Sequence, residues 1–416
     1  MKNRSVVAFL ASAVCVSTAS GIAVIALGKL IYDITGSEFD LGLLGLAEFA
    51  PAAVLVFVTG PIADRHDRRR VVAIGATLES VTMVALGSLA LNDVSSTTPI
   101  FLLVIGFGTF RAFMAPAARA LPSDIVPPAE LATLVARYAL SWQVSLIIGP
   151  VIGGFLYAVD PAAPFVGVAV LLLLGAGAVL TIEKDRTRSH HDDLEAPSLT
   201  DAFEGLRFIS RRPILLGAIS LDLFAVLFGG AVALLPAIAE QRLGVGPVGL
   251  GWLRAAVGIG AGLTTIVLAR RPLLHRIGRT LLIAVAVFGV FTVVLGVTRE
   301  FAVAFAALAI LSGADAVSVY IRATLVPLAT PADRRGRVLA VENVFIGASN
   351  ELGAFESGAV AAASSTPVAI VSGGFATLIV AVVWWFRFPA LRDLDEFPRS
   401  QDDAVDDPGG VTDRGP

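Results

Sequence analysis

Gly60-Pro61-Ile62-Ala63-Asp64-Arg65-His66-Asp67-Arg68-Arg69-Arg70 gathers four arginines and two aspartates into eleven residues. It sits between two apolar runs, 41–61 and 71–91. Each is long enough, at about 20 residues, to cross a bilayer as a helix. A bilayer core leaves exposed backbone groups without partners, so both runs read as helices. Gly60 reads as a point where helix backbones approach closely. Asp64 stands where the chain leaves the membrane, able to accept from a neighbouring arginine or a helix N-terminus. The arginines hold the turn on the cytoplasmic side.

Working outward, ten further runs of the same kind occupy 6–27, 99–118, 137–158, 162–182, 213–237, 248–268, 280–298, 301–321, 338–360 and 366–388. About twelve spans are therefore expected. Composition agrees: the chain has 416 residues, 56% hydrophobic and only 16% charged, with net charge −3 and mean hydropathy +0.81. Soluble proteins carry about 25% charged residues, so this chain lacks the charges to cover soluble domains. Ordinary soluble, fibrous and disordered classes are excluded. One cysteine, Cys15, excludes an intramolecular disulfide and cysteine metal clusters. The net charge gives no basic field toward nucleic acid. The first run follows Lys2 and Arg4 like a secretory signal, but eleven spans follow it, so it reads as an uncleaved span.

Lys/Arg placement sets orientation. With the N-terminus inside, inner loops hold Arg65, Arg68, Arg69 and Arg70, then Lys184, Arg186, Arg188, Arg207, Arg211 and Arg212. Further on they hold Arg270, Arg271, Arg276 and Arg279, then Arg334, Arg335 and Arg337, while outer loops hold only Lys29, Arg242 and Arg299. Both termini are expected to be cytoplasmic. The layout reads as a six-span bundle over 1–183, a linker over 184–212, a second six-span bundle over 213–390 and a disordered tail over 391–416. In the linker, His190, His191, Asp192 and Asp193 read as solvated rather than metal-binding, since nothing nearby completes a ligand set. Ser198 with Asp201 reads as an N-cap. Leu199, Phe203, Leu206 and Ser210, with Arg207, Arg211 and Arg212, predict a short amphipathic helix on the membrane surface. After Pro398, Asp402, Asp403, Asp406 and Asp407 lie among Gly and Pro.

The halves echo each other. Shifting the sequence by 203 residues brings Arg119 onto Arg322, Pro128 onto Pro331 and Glu130 onto Asp333. With the six-linker-six layout, this predicts two pseudo-symmetric helical bundles related by an axis along the membrane normal. In the fifth span, Gly149-Pro150-Val-Ile-Gly153-Gly154 gives a small-xxx-small face and a bend. Gly258 and Gly262 repeat that spacing in the eighth, and the two faces are expected to pack across the halves as a rocking seam.

Gly60–Arg70 resembles the signature loop of the major facilitator superfamily, Gly-x-x-x-Asp-Arg-x-Gly-Arg-Arg/Lys, with Asp67 in place of the second glycine. The resemblance implies an all-α major facilitator fold and a gate latch built on Gly60, Asp64, Arg65, Arg68 and Arg69. It makes Arg119 the candidate partner of Asp64. Gly149, Pro150, Gly153 and Gly154 resemble the superfamily's antiporter motif. Three stretches are similar to the branch holding the enterobactin exporter and drug efflux proteins. They are Ser312-Gly-Ala-Asp315 to Arg322, Thr330 to Val338, and Gly347-Ala-Ser-Asn350-Glu351 to Gly358. In the superfamily the first, fourth, seventh and tenth spans line a central cavity. That implies cavity positions for Arg111, Asp222 and Asp315.

Charges within spans are costly, at least about 2.5–3.5 kcal/mol each, so each demands a role. They are Glu48, Arg111, Asp222, Arg254, Asp315, Glu342, Glu351 and Glu356. Glu48, Asp222, Asp315, Glu342, Glu351 and Glu356 are candidates for proton coupling; buried ion pairs holding helices in register are the alternative. On the eleventh span, Glu342, Ser349 and Glu356 share a stripe beside Asn343, Asn350 and Ser357, and Glu351 points nearly opposite. That stripe is expected to face the cavity or seam, and Glu351 to find its own partner. Trp142, Phe224 and Tyr320 are candidates for stacking on a ligand, or simply for packing.

The expected function is a proton-coupled antiporter exporting a small amphipathic molecule, drug or siderophore-like. The chain would act as a monomer in a bacterial cytoplasmic membrane, without cofactor or metal. A facilitator or importer remains an alternative, as does a non-transporting sensor. Enzyme chemistry has no support in a nucleophile elbow, HExxH or P-loop.

Overall fold

The computed structural model describes residues 2–92, 96–183 and 199–398. Among them the chain is helical, without strands. In chain order the first helices are α1 (Lys2–Thr35), α2 (Glu38–Arg65), α3 (Arg68–Ala90), α4 (Thr98–Ile125), α5 (Pro128–Val159) and α6 (Ala163–Leu180). A short α7 (Leu199–Ser210) precedes α8 (Pro213–Phe228) and the single turn α9 (Leu235–Ala237). Then come α10 (Gly246–Arg270), α11 (Ile277–Val297), α12 (Phe301–Leu328), α13 (Ala332–Ala363), α14 (Thr366–Arg387) and α15 (Pro389–Arg392).

Local sequence explains the ends. The Ser37 and Asp67 side chains cap α2 and α3, accepting from the N–H of Asp40 and Arg69. Proline opens α5, α8, α10 and α14 within the first turn, where its missing N–H costs nothing. Several helices outrun the apolar stretches that predict them. α1 runs on to Thr35, α4 to Ile125, and α5 begins at Pro128. Lys29, read from sequence as a loop residue, therefore lies inside α1.

Among the described residues, eleven helical stretches are long and apolar enough to cross a membrane, one of them the interrupted stretch Pro213–Arg242. The twelfth expected span lies in α13, but that helix carries Asp333, Arg334, Arg335, Arg337, Glu342, Glu351 and Glu356 and falls short of that measure. The seventh expected span, 213–237, is not one helix. α8 stops at Phe228, and a 3-10 turn (Gly230–Leu234), α9 and a π turn (Ile238–Arg242) follow. Consecutive Gly229 and Gly230 weaken the helix there. Gly230 also packs so close to the Gly353 carbonyl that a Cβ would overlap it. α7 forms at the expected place. Ser198, the His190–Asp193 cluster and the tail beyond Pro398 lie outside the described residues.

One apolar core runs through α1–α6, and three smaller ones through the helices from α7 onward. The Glu183 N–H donates to Ser5 Oγ at 3.3 Å, and Arg69 donates to the Ile182 carbonyl. These bonds gather the ends of α1, α3 and α6 at one face, called here the basic end. α7 docks on α13 there: Gly205 packs on the Arg337 backbone, and Arg337 reaches Glu204 at 2.8 Å. The chain after α15 folds back onto the start of α11, where Ile277 and Gly278 donate to the carbonyls of Asp395 and Leu394 at 3.2 and 2.9 Å.

The bundles meet mainly toward the opposite, far end. α2 packs on α13, with Gly42 against Ala354 and Phe355 and Gly358 against Glu38 and Gly42. α5 packs on α10 from Gln143–Gly262 outward to Gly154–Pro247. Toward the basic end, Gly60 and Gly336 have open space where a Cβ would go. The molecule is therefore closed at the far end and parted at the basic end.

Candidate transport site

The α2–α3 turn is an ion-pair chain centred on Arg68. Its guanidinium donates to Asp64 at 3.2 Å and to Asp124, at the end of α4, at 2.9 Å. Asp67 caps α3 and also holds Arg69 at 2.7 Å. An Asp in place of the family's glycine thus serves as a helix cap. Asp64 does not reach Arg119, which is exposed and lies within electrostatic range of Tyr138. The expected Asp64–Arg119 pair is replaced by Asp64–Arg68–Asp124, because the α2–α3 turn brings Arg68, at the start of α3, beside Asp64 at the end of α2. Arg65 is exposed. Gly60 makes no close helix contact, contrary to its sequence reading, since the bundles are parted at that level.

Two charge clusters lie deeper. In the first bundle, Arg111 Nη1 is 2.9 Å from Glu48 Oε1, and Nη2 donates to Ser20 Oγ at 2.9 Å. Its guanidinium lies over the Phe107 ring at 4.4 Å from the centroid. Its Nε is 3.7 Å from Oε1 of Glu79, a residue on α3 that is 0% exposed. Glu79 escaped the sequence reading, although it interrupts the apolar run 71–91 as plainly as Glu48 interrupts its own.

In the second bundle, Arg322 Nη2 is 2.7 Å from Asp222 Oδ1, and Nη1 is 3.5 Å from Glu342 Oε1. All three are buried. Asp315, two turns earlier on α12, makes no hydrogen bond or ion pair among the described residues. It faces Asp222 and Ser318 around a cavity of ≈ 10 Å³, room for about one water. The Ser318 hydroxyl and Arg322 Nε are buried without partners.

Between the clusters, α10 carries Arg254 within electrostatic reach of Glu351 and Glu48, and Glu351 lies against Gly45 of α2. Charge therefore continues across the junction. At the far end, buried Lys29 pairs with Asp33 and crosses to Glu240 at 3.1 Å. Gln241 donates to Tyr32 and Glu38, and Thr366 donates to Glu38 at 3.0 Å. These cross-bundle bonds lock that end.

The family model for the Major Facilitator Superfamily matches residues 9–299. The chain belongs to the major facilitator superfamily. It is a multi-pass membrane protein of a transporter family. Among relatives of this superfamily, the multidrug efflux pump Tap of Mycolicibacterium fortuitum is 26% identical, with 95% of this chain and 98% of Tap covered. The enterobactin exporter EntS of Shigella flexneri is 26% identical, with 91% and 92% covered. The fold matches a crystal structure of the nucleoside transporter NupG (D323A mutant) with TM-score 0.74 at 12% identity, covering 93% of this chain and 99% of that one.

On this major facilitator frame the remaining candidates separate. Gly149 and Gly153 do not face α10. They pack on α1 at Gly21 and at Ile22 and Ile25. The cross-bundle seam is built by Gly154, whose Cβ would stand 2.5 Å from the Pro247 carbonyl, by the Pro150 carbonyl against Gly251, and by Ile147 and Gln143 against Gly258 and Gly262. One helical position separates the two faces of α5. Phe224 packs on Phe228 and Trp384, and Tyr320 meets Phe397 edge-on, so both sit within the second bundle. Trp142, mid-way along α5, is 48% exposed. On α13, Glu342, Ser349 and Ser357 are buried, Asn343 and Asn350 are exposed, and Glu356 accepts from Ser357 at 3.5 Å.

Proposed function

We propose that this chain is a proton-coupled antiporter that exports a small amphipathic organic molecule by alternating access. The observation that carries the reading is the pair of buried acids, Asp222 and Glu342, on a single buried arginine, Arg322, with half-buried Asp315 facing Asp222. Three acids against one base leave negative charge that a membrane interior tolerates only when a proton or cation joins it. Efflux names among relatives at about a quarter identity support the export direction. The basic end, by its arginines, is the cytoplasmic face. The parted bundles then admit substrate from the cytoplasm, between Trp142 on α5 and the Asn343–Asn350 edge of α13. Rocking about the α5–α10 and α2–α13 seams would break the Lys29–Glu240 and Glu38–Thr366 contacts and bring Gly60 against the second bundle. The chain works as a monomer in the bacterial cytoplasmic membrane, and a drug or siderophore-like compound is the substrate class.

Everted vesicles carrying the protein test this reading. Acidifying their interior is expected to drive accumulation of exported compounds from a panel of cationic dyes and catecholate siderophores. Asp222→Asn and Asp315→Asn are expected to abolish that accumulation while the protein stays folded. Full accumulation in both variants removes these acids from the coupling step. Uptake into right-side-out vesicles instead would make the chain an importer.

A further inference from the structure

Glu79 is the most enclosed charged side chain of the first bundle. It is 0% exposed, and both carboxylate oxygens are buried without a hydrogen bond. Its neighbours are few. α4 contributes Arg111 and α2 contributes Glu48. α6, packed along the other side, carries no titratable residue. The arginines of α3 itself are Arg68, Arg69 and Arg70 at its start, about 14–16 Å away along the helix axis. α1 reaches the cluster only through Ser20, on Arg111. Two acids thus share one arginine, and Arg111 gives its short contacts to Glu48 and Ser20. A buried carboxylate without a hydrogen bond, whose one cation stands 3.7 Å away and is shared with Glu48, is less stable than the neutral acid.

We propose that Glu79 is a proton-binding site of the transport cycle, neutral while Glu48 holds Arg111 and ionised when Arg111 turns to it. The inference rests on the proton-coupled reading above and adds a site in the opposite bundle. Arg111 is the moving part. Its side chain and that of Glu48 are 29% and 26% exposed, so both reach the junction where Arg254 and Glu351 stand. Whatever competes for Glu48, a cationic group of the substrate or Arg254 as the bundles rock, frees Arg111 to move the short distance to Glu79. The Glu79 O–H then breaks, its proton passes to water at the junction, and the new carboxylate pairs with Arg111. When Glu48 recovers Arg111, Glu79 takes a proton back. No bond other than O–H changes.

Infrared difference spectra of the purified full-length protein, recorded while pH is stepped through neutral, read protonated carboxyls directly by their C=O stretch. The intact chain is expected to show such a band at neutral pH that Glu79→Gln removes and Asp222→Asn and Asp315→Asn leave in place. Glu48→Gln, which releases Arg111, is expected to lose the band even though Glu79 is present. Arg111→Gln is expected to hold it to higher pH by about one unit or more, the usual effect of losing one nearby opposite charge. A merely structural Glu79 gives no response to Glu48→Gln. A band unchanged in both Glu79→Gln and Glu48→Gln overturns the proposal. Absence of pH-driven flux in the intact chain would instead defeat the proton-coupled reading and leave the band assay to judge the site alone.

Discussion

The two bundles each bury an arginine on their fourth long helix, yet they surround it differently. Arg111 is held by acids on α2 and α3 and by a hydroxyl on α1. Arg322 is held by acids on α8 and α13. The first cluster opens to the junction, with Arg111 and Glu48 partly exposed. The second is sealed, with side-chain exposures of 4% for Arg322 and 7% for Asp222. Position along the helices differs too: Arg111 stands 13 residues from the far end of α4 and Arg322 stands 21 from the far end of α12. At 1.5 Å per residue the sealed cluster is about 12 Å nearer the basic end. A repeated fold thus carries a partly open charge group in one copy and an enclosed one in the other.

The largest expected effect tests that contrast in stability. Arg322→Met leaves buried acids without their base and is expected to cost about 3–5 kcal/mol. Arg111→Met is expected to cost only about 1–3 kcal/mol, because Glu48, its closest acid, is partly exposed and can reach water at the junction. Denaturant unfolding of the purified variants measures both, and equal losses would erase the distinction. Next come the two faces of α5. Gly149→Val crowds Gly21 of α1 and is expected to destabilise the first bundle by about 1–3 kcal/mol. Gly154→Val crowds α10 instead. It is expected to push the far ends of α5 and α10 apart, read by spin-label distances, with a smaller loss of unfolding stability. Unchanged distances in Gly154→Val would remove that seam from the motion.

The smallest effect is at the surface. Hydrogen bonds from the His275 ring and the Arg276 N–H hold the Asp395 carboxyl below its ordinary range. A depressed carboxylate pKa contributes stability above the unfolded value, about 3.9, and loses it as pH falls through the folded one. Melting temperatures of the intact chain and Asp395→Asn are therefore expected to differ slightly near neutral pH and to converge in acid. A gap that widens in acid would contradict the bonding seen there.

Much of this was legible in residues. Apolar runs of spanning length located the long helices because a bilayer leaves the backbone no other choice. Periodicity on α13 groups Glu342, Ser349 and Glu356 on one stripe, of which Glu342 and Ser349 are buried and Glu356 half-buried. Partners across space were not legible. Arg119 was the natural mate for Asp64 by analogy, but Arg68, brought beside it by the α2–α3 turn, reaches it first. Gly149 and Gly154 belong to one motif yet face different bundles, and only the rotation of α5 decides which. Lys29 looked like a loop charge because α1 outruns its apolar stretch. Glu79 was visible in the sequence and was passed over.

α13 has a consequence for how the protein is made. Its charges keep it below the apolarity at which a helix partitions into lipid unaided, and insertion scales penalise each central charge by about 2.5–3.5 kcal/mol. The surfaces that shelter those charges belong to others: Gly45 of α2 receives Glu351, and Arg322 of α12 receives Glu342. Since α2 is synthesised long before α13, the finished first bundle is a template already waiting in the membrane when the late helix leaves the ribosome. A chain begun at α8 keeps Arg322 for Glu342 but lacks Gly45 for Glu351, so it is expected to insert α13 less completely than the full chain does.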